Sequence, residues 1–103
     1  MVYIKKRAEN DLLRLLIQLI EWKEHPHTFE QANAYIFEIV KVCHSLESLN
    51  VRTTASYLSH QKFGKYVYRF DKHSKVQWYI IYDFDKYKNI VIKKIISNNR
   101  TKN

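Results

Sequence analysis

The chain has 103 residues, of which 46% are apolar and 27% charged, a length and balance that suit one domain (residues 1–103) with a single core and exclude global disorder. The apolar stretch Leu12–Ile20 is interrupted by Arg14 and Gln18, which is far short of a membrane span. The net charge of +8 is one-sided: residues 1–50 hold six Lys/Arg and seven Asp/Glu, whereas residues 51–103 hold twelve and three. The excess therefore belongs to the second half, either as a solvated basic surface or as a surface for phosphates or an acidic protein partner. The basic N-terminus is followed by no apolar core with a small-residue cleavage site, so no signal peptide is expected. A lone cysteine, Cys43, agrees with a reducing cytoplasm, and its spacing from Ile39 and Leu46 marks it as a small core residue.

In chain order, Val2–Lys5 reads as a short edge strand. A helix opens at Ala8, with Leu12, Leu13, Leu15, Leu16, Ile17, Leu19, Ile20 and Trp22 covering roughly 220° of its circumference and Asp11, Arg14, Gln18 and Glu21 facing water. So wide an arc predicts contact with both a second helix and a sheet. Pro26 breaks the pattern. Thr28 and Gln31 then form a capping box for a second helix, whose apolar positions Ala32, Tyr35, Ile36, Ile39, Cys43 and Leu46 keep a 3–4 spacing. Asn50 is placed as its left-handed stop. A link this short makes the two helices an antiparallel hairpin. Val51–Lys62 shows no period, although Thr53–Leu58 admits a short turn of helix.

Gly64, the only glycine, precedes a strand at Lys65–Phe70. Two long strands follow, Val76–Asp85 and Asn89–Ser97, rich in Val, Ile, Tyr, Phe and Trp and joined by a loop of three to five residues. Trp78, Ile80, Tyr82 and Phe84 alternate with Tyr79 and Ile81, so both faces of the sheet are apolar. The expected fold is α+β, a two-helix antiparallel hairpin packed on an antiparallel sheet in the order β-α-α-β-β-β. Helices cover one face, something else covers the other, and function is expected on that second face.

One glycine excludes a phosphate-cradling glycine loop. The histidines His25, His27, His44, His60 and His73 are scattered without metal-ligand spacing, no nucleophile triad stands out, and neither a metal nor a cofactor is expected. What remains is a set of cations, Lys62, Lys65, Arg69, Lys93, Lys94, Arg100 and Lys102, interleaved with Tyr66, Tyr68, Trp78, Tyr79 and Tyr82. Cations hold phosphates and aromatic faces stack on unpaired bases; equally, such aromatics can be core and such lysines solvated.

The helix opening Arg7–Leu12 (R-A-E-N-D-L), the helix end Leu46–Leu49 (L-E-S-L), Gly64-Lys65-Tyr66, the strand Trp78–Tyr82 (W-Y-I-I-Y) and a last strand running into Asn98-Asn99-Arg100 stand in this order along the chain. Together they resemble the RelE/ParE toxins of bacterial type II toxin–antitoxin modules. The resemblance covers nearly the whole chain. It implies a cytoplasmic toxin restrained by an acidic antitoxin protein, with no membrane role. The implied activity is cleavage of messenger RNA at the ribosome, or, as in the ParE branch, inhibition of DNA gyrase without such chemistry. A non-toxic basic RNA- or protein-binding module is the third alternative.

For the nuclease, Arg69 matches the family's arginine-bearing strand and Arg100 the arginine after the last strand, which makes these two the implied catalytic residues. Lys62, Lys65, Lys93, Lys94 and Lys102 are the nucleic-acid-binding candidates. The sequence departs from the family at two points. Tyr79 stands where many members carry an arginine. Only Thr101, Lys102 and Asn103 follow Arg100, with no C-terminal tyrosine or histidine to act as general acid. His60 and His73 are the available substitutes.

Overall fold

A computed structural model describes residues 1–24, 26–49, 52–73 and 76–97, the side chains of residues 72 and 73 excepted. Its elements are β1 (Val2–Ile4), α1 (Lys6–Glu21), α2 (Phe29–Ser45), a 3₁₀ turn (Leu46–Ser48), α3 (Leu58–Gln61), β2 (Tyr66–His73), β3 (Val76–Phe84) and β4 (Ile90–Ser97). The strands form one sheet in the order β1-β4-β3-β2. None of the described helices is long and apolar enough to cross a membrane.

The α+β class and the element order agree with the sequence, but the sheet is mixed, not antiparallel. β1 pairs parallel to β4, Val2 opposite Ile90 and Ile4 opposite Ile92. Its chain leaves the sheet edge, builds both long helices over one face, and returns through β2 and β3. A crossover of that length is what permits parallel pairing.

α2 begins as expected. The Gln31 N–H donates to the Thr28 hydroxyl at 3.1 Å and the Thr28 N–H to Gln31 Oε1 at 3.0 Å, satisfying two of the helix's orphan donors. Ala32, Ile39 and Cys43 are buried along its inner stripe. Burial pushes the Cys43 thiol up to about 12, because a thiolate there would lose its hydration. Asn50, the predicted stop, lies outside the described residues.

α1 rests on the sheet and on α2 through Ala8, Leu12, Leu15 and Leu19. The rest of its wide arc stays in solvent: Leu13, Ile17 and Ile20 are 57%, 53% and 36% exposed. Asp11, expected to face water, is instead 6% exposed. β1 ends at Ile4, which leaves the outer edge of β4 unpaired beyond Ile92. Asp11 takes the place of the missing strand: its carboxylate accepts the Ile95 N–H at 3.1 Å and the Lys94 ammonium at 2.8 Å.

A bulge makes this edge possible. Ile81 faces Lys94 while Tyr82 faces Ile92, so Lys93 is the extra residue. Strict alternation would put Ile92 and Ile95 on opposite faces. With the bulge, Ile90, Ile92 and Ile95 all reach one core with Trp78, Ile80 and Tyr82.

The β3–β4 loop is residues 85–89, the long end of the predicted range. The Asp85 carboxylate accepts the Tyr87 and Asn89 N–H groups at 2.8 and 2.9 Å. Lys88 closes the turn at φ 67°, the left-handed position such loops require.

Candidate functional site on the second face

The second face is covered by the aperiodic segment between α2 and β2. Thr53, Thr54 and Ala55 run along the outer edge of β2: the Val67 N–H donates to Thr53 O at 2.9 Å and the Ala55 N–H to Lys65 O at 2.8 Å. Between these contacts the chain loops out over β3. The helical turn expected at Thr53–Leu58 lies later, at Leu58–Gln61. Tyr57 stands at its N-cap, and Gln61 Nε2 ties the turn back to Ala55 O at 3.0 Å.

Gly64 closes the loop onto the sheet. A Cβ there would lie 2.9 Å from Ile81 Cγ2 and 3.2 Å from Tyr82 O, so only glycine allows so close an approach. The Lys65 N–H donates to Asp83 Oδ1 at 2.8 Å, which anchors the return strand.

Under this lid lies a pocket of about 390 Å³. Tyr79 is one wall. Arg69 stands directly opposite Tyr79 on β2, and His60 comes from the lid, its ring centroid 4.8 Å from that of Tyr79. Tyr57 packs edge-on to both rings, at 5.1 Å from His60 and 6.2 Å from Tyr79. Thr53, Thr54 and Ser56 add hydroxyl-bearing residues to the lining, and Val67 and Tyr68 contribute from β2. Arg69 is exposed at the mouth, whereas His60 is 0% exposed.

His60 stands out chemically. Neither of its ring nitrogens meets a hydrogen-bond partner among the described residues. A neutral imidazole carries one donor and one acceptor, and leaving such groups buried and unpaired costs about 1–3 kcal/mol each. Burial also pushes the imidazole below its ordinary value of 6.5, so near neutral pH the ring is uncharged and one nitrogen is free to take a proton.

The predicted site residues are partly brought together. Arg69 joins His60 in the pocket. Lys62 and Lys65 line a different hollow, together with Phe63 and Asp83. Lys93, at the bulge, is 4.0 Å from Asp83. Lys94 is held by Asp11, which gives its charge a structural use. Arg100 and Lys102 lie outside the described residues.

Of the two readings left open for the five aromatics, the structure supports core packing. Trp78, Tyr79 and Tyr82 are buried, and Tyr66 and Tyr68 pack against the helix-side core. Trp78 is committed there: its indole N–H donates to the Tyr35 hydroxyl at 3.1 Å. The exposed ring at the pocket is Tyr57, 57% accessible, and sequence reasoning missed it. The available signal was its place in an aperiodic Thr/Ser-rich loop three residues before a histidine.

A second pocket, of about 440 Å³, lies between α1, α2 and the sheet. It is walled by Leu15, Leu19, Trp22, Trp78 and Ile95, and its carboxylate, Asp11, is already paired. The described residues hold no group of three His, Cys, Asp or Glu side chains placed to bind a metal. No family model matches the chain, and no curated protein or solved structure matches it.

Proposed function

We propose that this chain is the toxin of a type II toxin–antitoxin pair, a ribonuclease that cuts messenger RNA at the ribosome through the pocket of His60 and Arg69. One observation supports the reading: a fully buried histidine whose two ring nitrogens meet no partner among the described residues, in a pocket that an exposed arginine shares. Cleavage of RNA needs a proton acceptor for the 2′-hydroxyl and a cation for the charge that builds on the phosphate. His60, once the lid lifts and uncovers its ring, supplies the first, and Arg69 the second. The 2′-oxygen attacks phosphorus while its proton passes to His60. The bond to the 5′-oxygen breaks, and that oxygen takes a proton from water. A 2′,3′-cyclic phosphate and a 5′-hydroxyl result.

In this reading Tyr57 stacks on the base beside the scissile phosphate. The chain works in the cytoplasm. Its acidic antitoxin docks on the exposed stripe of Leu13, Ile17 and Ile20 on α1, a surface that keeps its apolar side chains in water.

The test is induced expression in a bacterial host. Growth arrest is expected, with cuts in translated messages seen by primer extension. His60→Gln and Arg69→Ala should each lower cutting at least ~100-fold while circular dichroism shows an unchanged fold. Arrest without cuts, together with inhibited supercoiling, would assign the chain to the gyrase-directed branch. Absence of arrest would favour a non-toxic binding module.

A further inference from the structure

Outside the pocket, one aromatic ring gathers an unusual amount of charge. Phe63 follows α3 on the same lid, its N–H bonded to His60 O at 2.9 Å. Around its ring stand three cations from separate parts of the chain: Lys62 Nζ at 5.1 Å from the centroid, Lys94 Nζ at 5.3 Å and the Arg7 guanidinium at 5.5 Å. All three charges therefore fall within roughly one Debye length of each other at ordinary salt.

Ring faces attract cations one at a time, but three around one ring repel each other. Asp11 neutralises only Lys94. Among the described residues neither Arg7 nor Lys62 forms an ion pair, and both are exposed. Folding thus holds two unneutralised cations, Arg7 and Lys62, beside the Lys94–Asp11 pair at the lid's edge, a local excess of positive charge that an anion relieves.

We infer that Arg7, Lys62 and Phe63 form a second phosphate-binding subsite, which receives the backbone of a single-stranded RNA next to the nucleotide held in the His60 pocket. The inference rests on the ribonuclease reading and deepens it, making the substrate a strand that crosses the lid and not an isolated nucleotide. The subsite lies one chain turn from His60, through the Phe63–His60 hydrogen bond. Lys62 and Arg7 grip phosphate oxygens as donors. The Phe63 ring keeps the cations spread and presents an apolar edge to the sugar.

Fluorescence anisotropy with a dinucleotide and an octanucleotide of non-cleavable 2′-O-methyl RNA tests this, using the full chain and Arg7→Glu. Arg7 lies in the exposed first turn of α1, where a carboxylate suits the helix, so the variant should fold. The full chain should bind the octanucleotide more tightly than the dinucleotide, and Arg7→Glu should lose about ten-fold of that length-dependent gain. Its plot of log affinity against log salt should flatten by about 0.7 for each lost phosphate contact.

If the gain with length and the salt slope are unchanged in Arg7→Glu while Arg69→Ala abolishes binding of both probes, the subsite is overturned and the ribonuclease reading stands. If neither probe binds the full chain while induced expression still cuts translated messages, the subsite falls and the ribonuclease reading stands; if the cuts are absent too, both fall. Tighter binding of an acidic peptide than of the octanucleotide would also overturn it, assigning the cluster to a protein partner.

Discussion

The two faces of the sheet are built from neighbouring residues of the same strands, yet their most deeply buried titratable groups are treated differently. Under the helices the Asp11 carboxylate is paired with Lys94 and the Ile95 N–H and the Trp78 indole with Tyr35, and only Nδ1 of the half-buried His27 lacks a partner among the described residues. Under the lid, His60 is equally buried and pairs with nothing described. Helix packing comes from a repeating apolar stripe, which closes a core without special geometry. The lid has no such stripe. It is held by a few backbone bonds, the Gly64 contact and the tilted and edge-on ring contacts on Tyr79. The helix face carries stability, and the lid face gives some up by leaving a buried imidazole without a described partner.

Breaking the paired side should cost most. Asp11→Ala leaves the Lys94 ammonium and the Ile95 N–H without their partner in a largely buried place, and should lower unfolding free energy by about 4 kcal/mol, measured by urea denaturation. Ile39→Ala, at a site with no exposure, should cost about 3 kcal/mol through its cavity. On the lid, Gly64→Ala forces Ile81 to move and should cost about 2 kcal/mol, with a larger loss of RNA cutting than the stability change explains.

His60→Leu is the sharpest contrast. It removes two unpaired polar atoms from the interior, so stability should stay within about 1 kcal/mol or rise, while cutting disappears. A loss like that of Ile39→Ala would mean His60 is an ordinary core residue. The smallest effect is on pH dependence. The folded His60 value lies below the ordinary 6.5, so as pH falls the unfolded chain takes up this proton first. The stability it supports is complete above about 6.5 and declines below that value until the folded imidazole also protonates. Subtracting the His60→Leu curve from that of the intact chain isolates this slope.

How far the sequence announces these faces follows from the range of the interactions. The helices were legible because their signals are local: the 3–4 spacing from Ala32 to Leu46 and the Thr28–Gln31 box need no knowledge of the rest of the chain. The strands were legible from composition, and the second face was expected to need a different cover. Asp11 was misread, because a carboxylate at its place on the helix wheel belongs in water unless a strand edge 84 residues away needs an acceptor. The parallel pairing of β1 and the Lys93 bulge are likewise settled by distant partners. At the pocket, Arg69 was singled out only through the resemblance to RelE/ParE toxins, and His60 only as a substitute for a missing general acid. Burial and lack of a partner, which make His60 chemically interesting, are properties of the lid closing over Tyr79, and no local pattern encodes them.

Cys43 turns the helix-side core into a clock. Its sulfur has no exposure in the folded chain, and its thiol is held up to about 12, so at neutral pH a disulfide reagent finds almost no thiolate to attack. Labelling must wait for α2 to swing away from the sheet. Since this is the sole cysteine, each labelled molecule records one such excursion, with no competing site to subtract. The dependence of that labelling rate on urea then reports how much surface the excursion uncovers. A steep dependence means α2 leaves only when the whole chain unravels; a shallow one means the helix detaches as a separate unit while β2, β3 and the lid stay assembled.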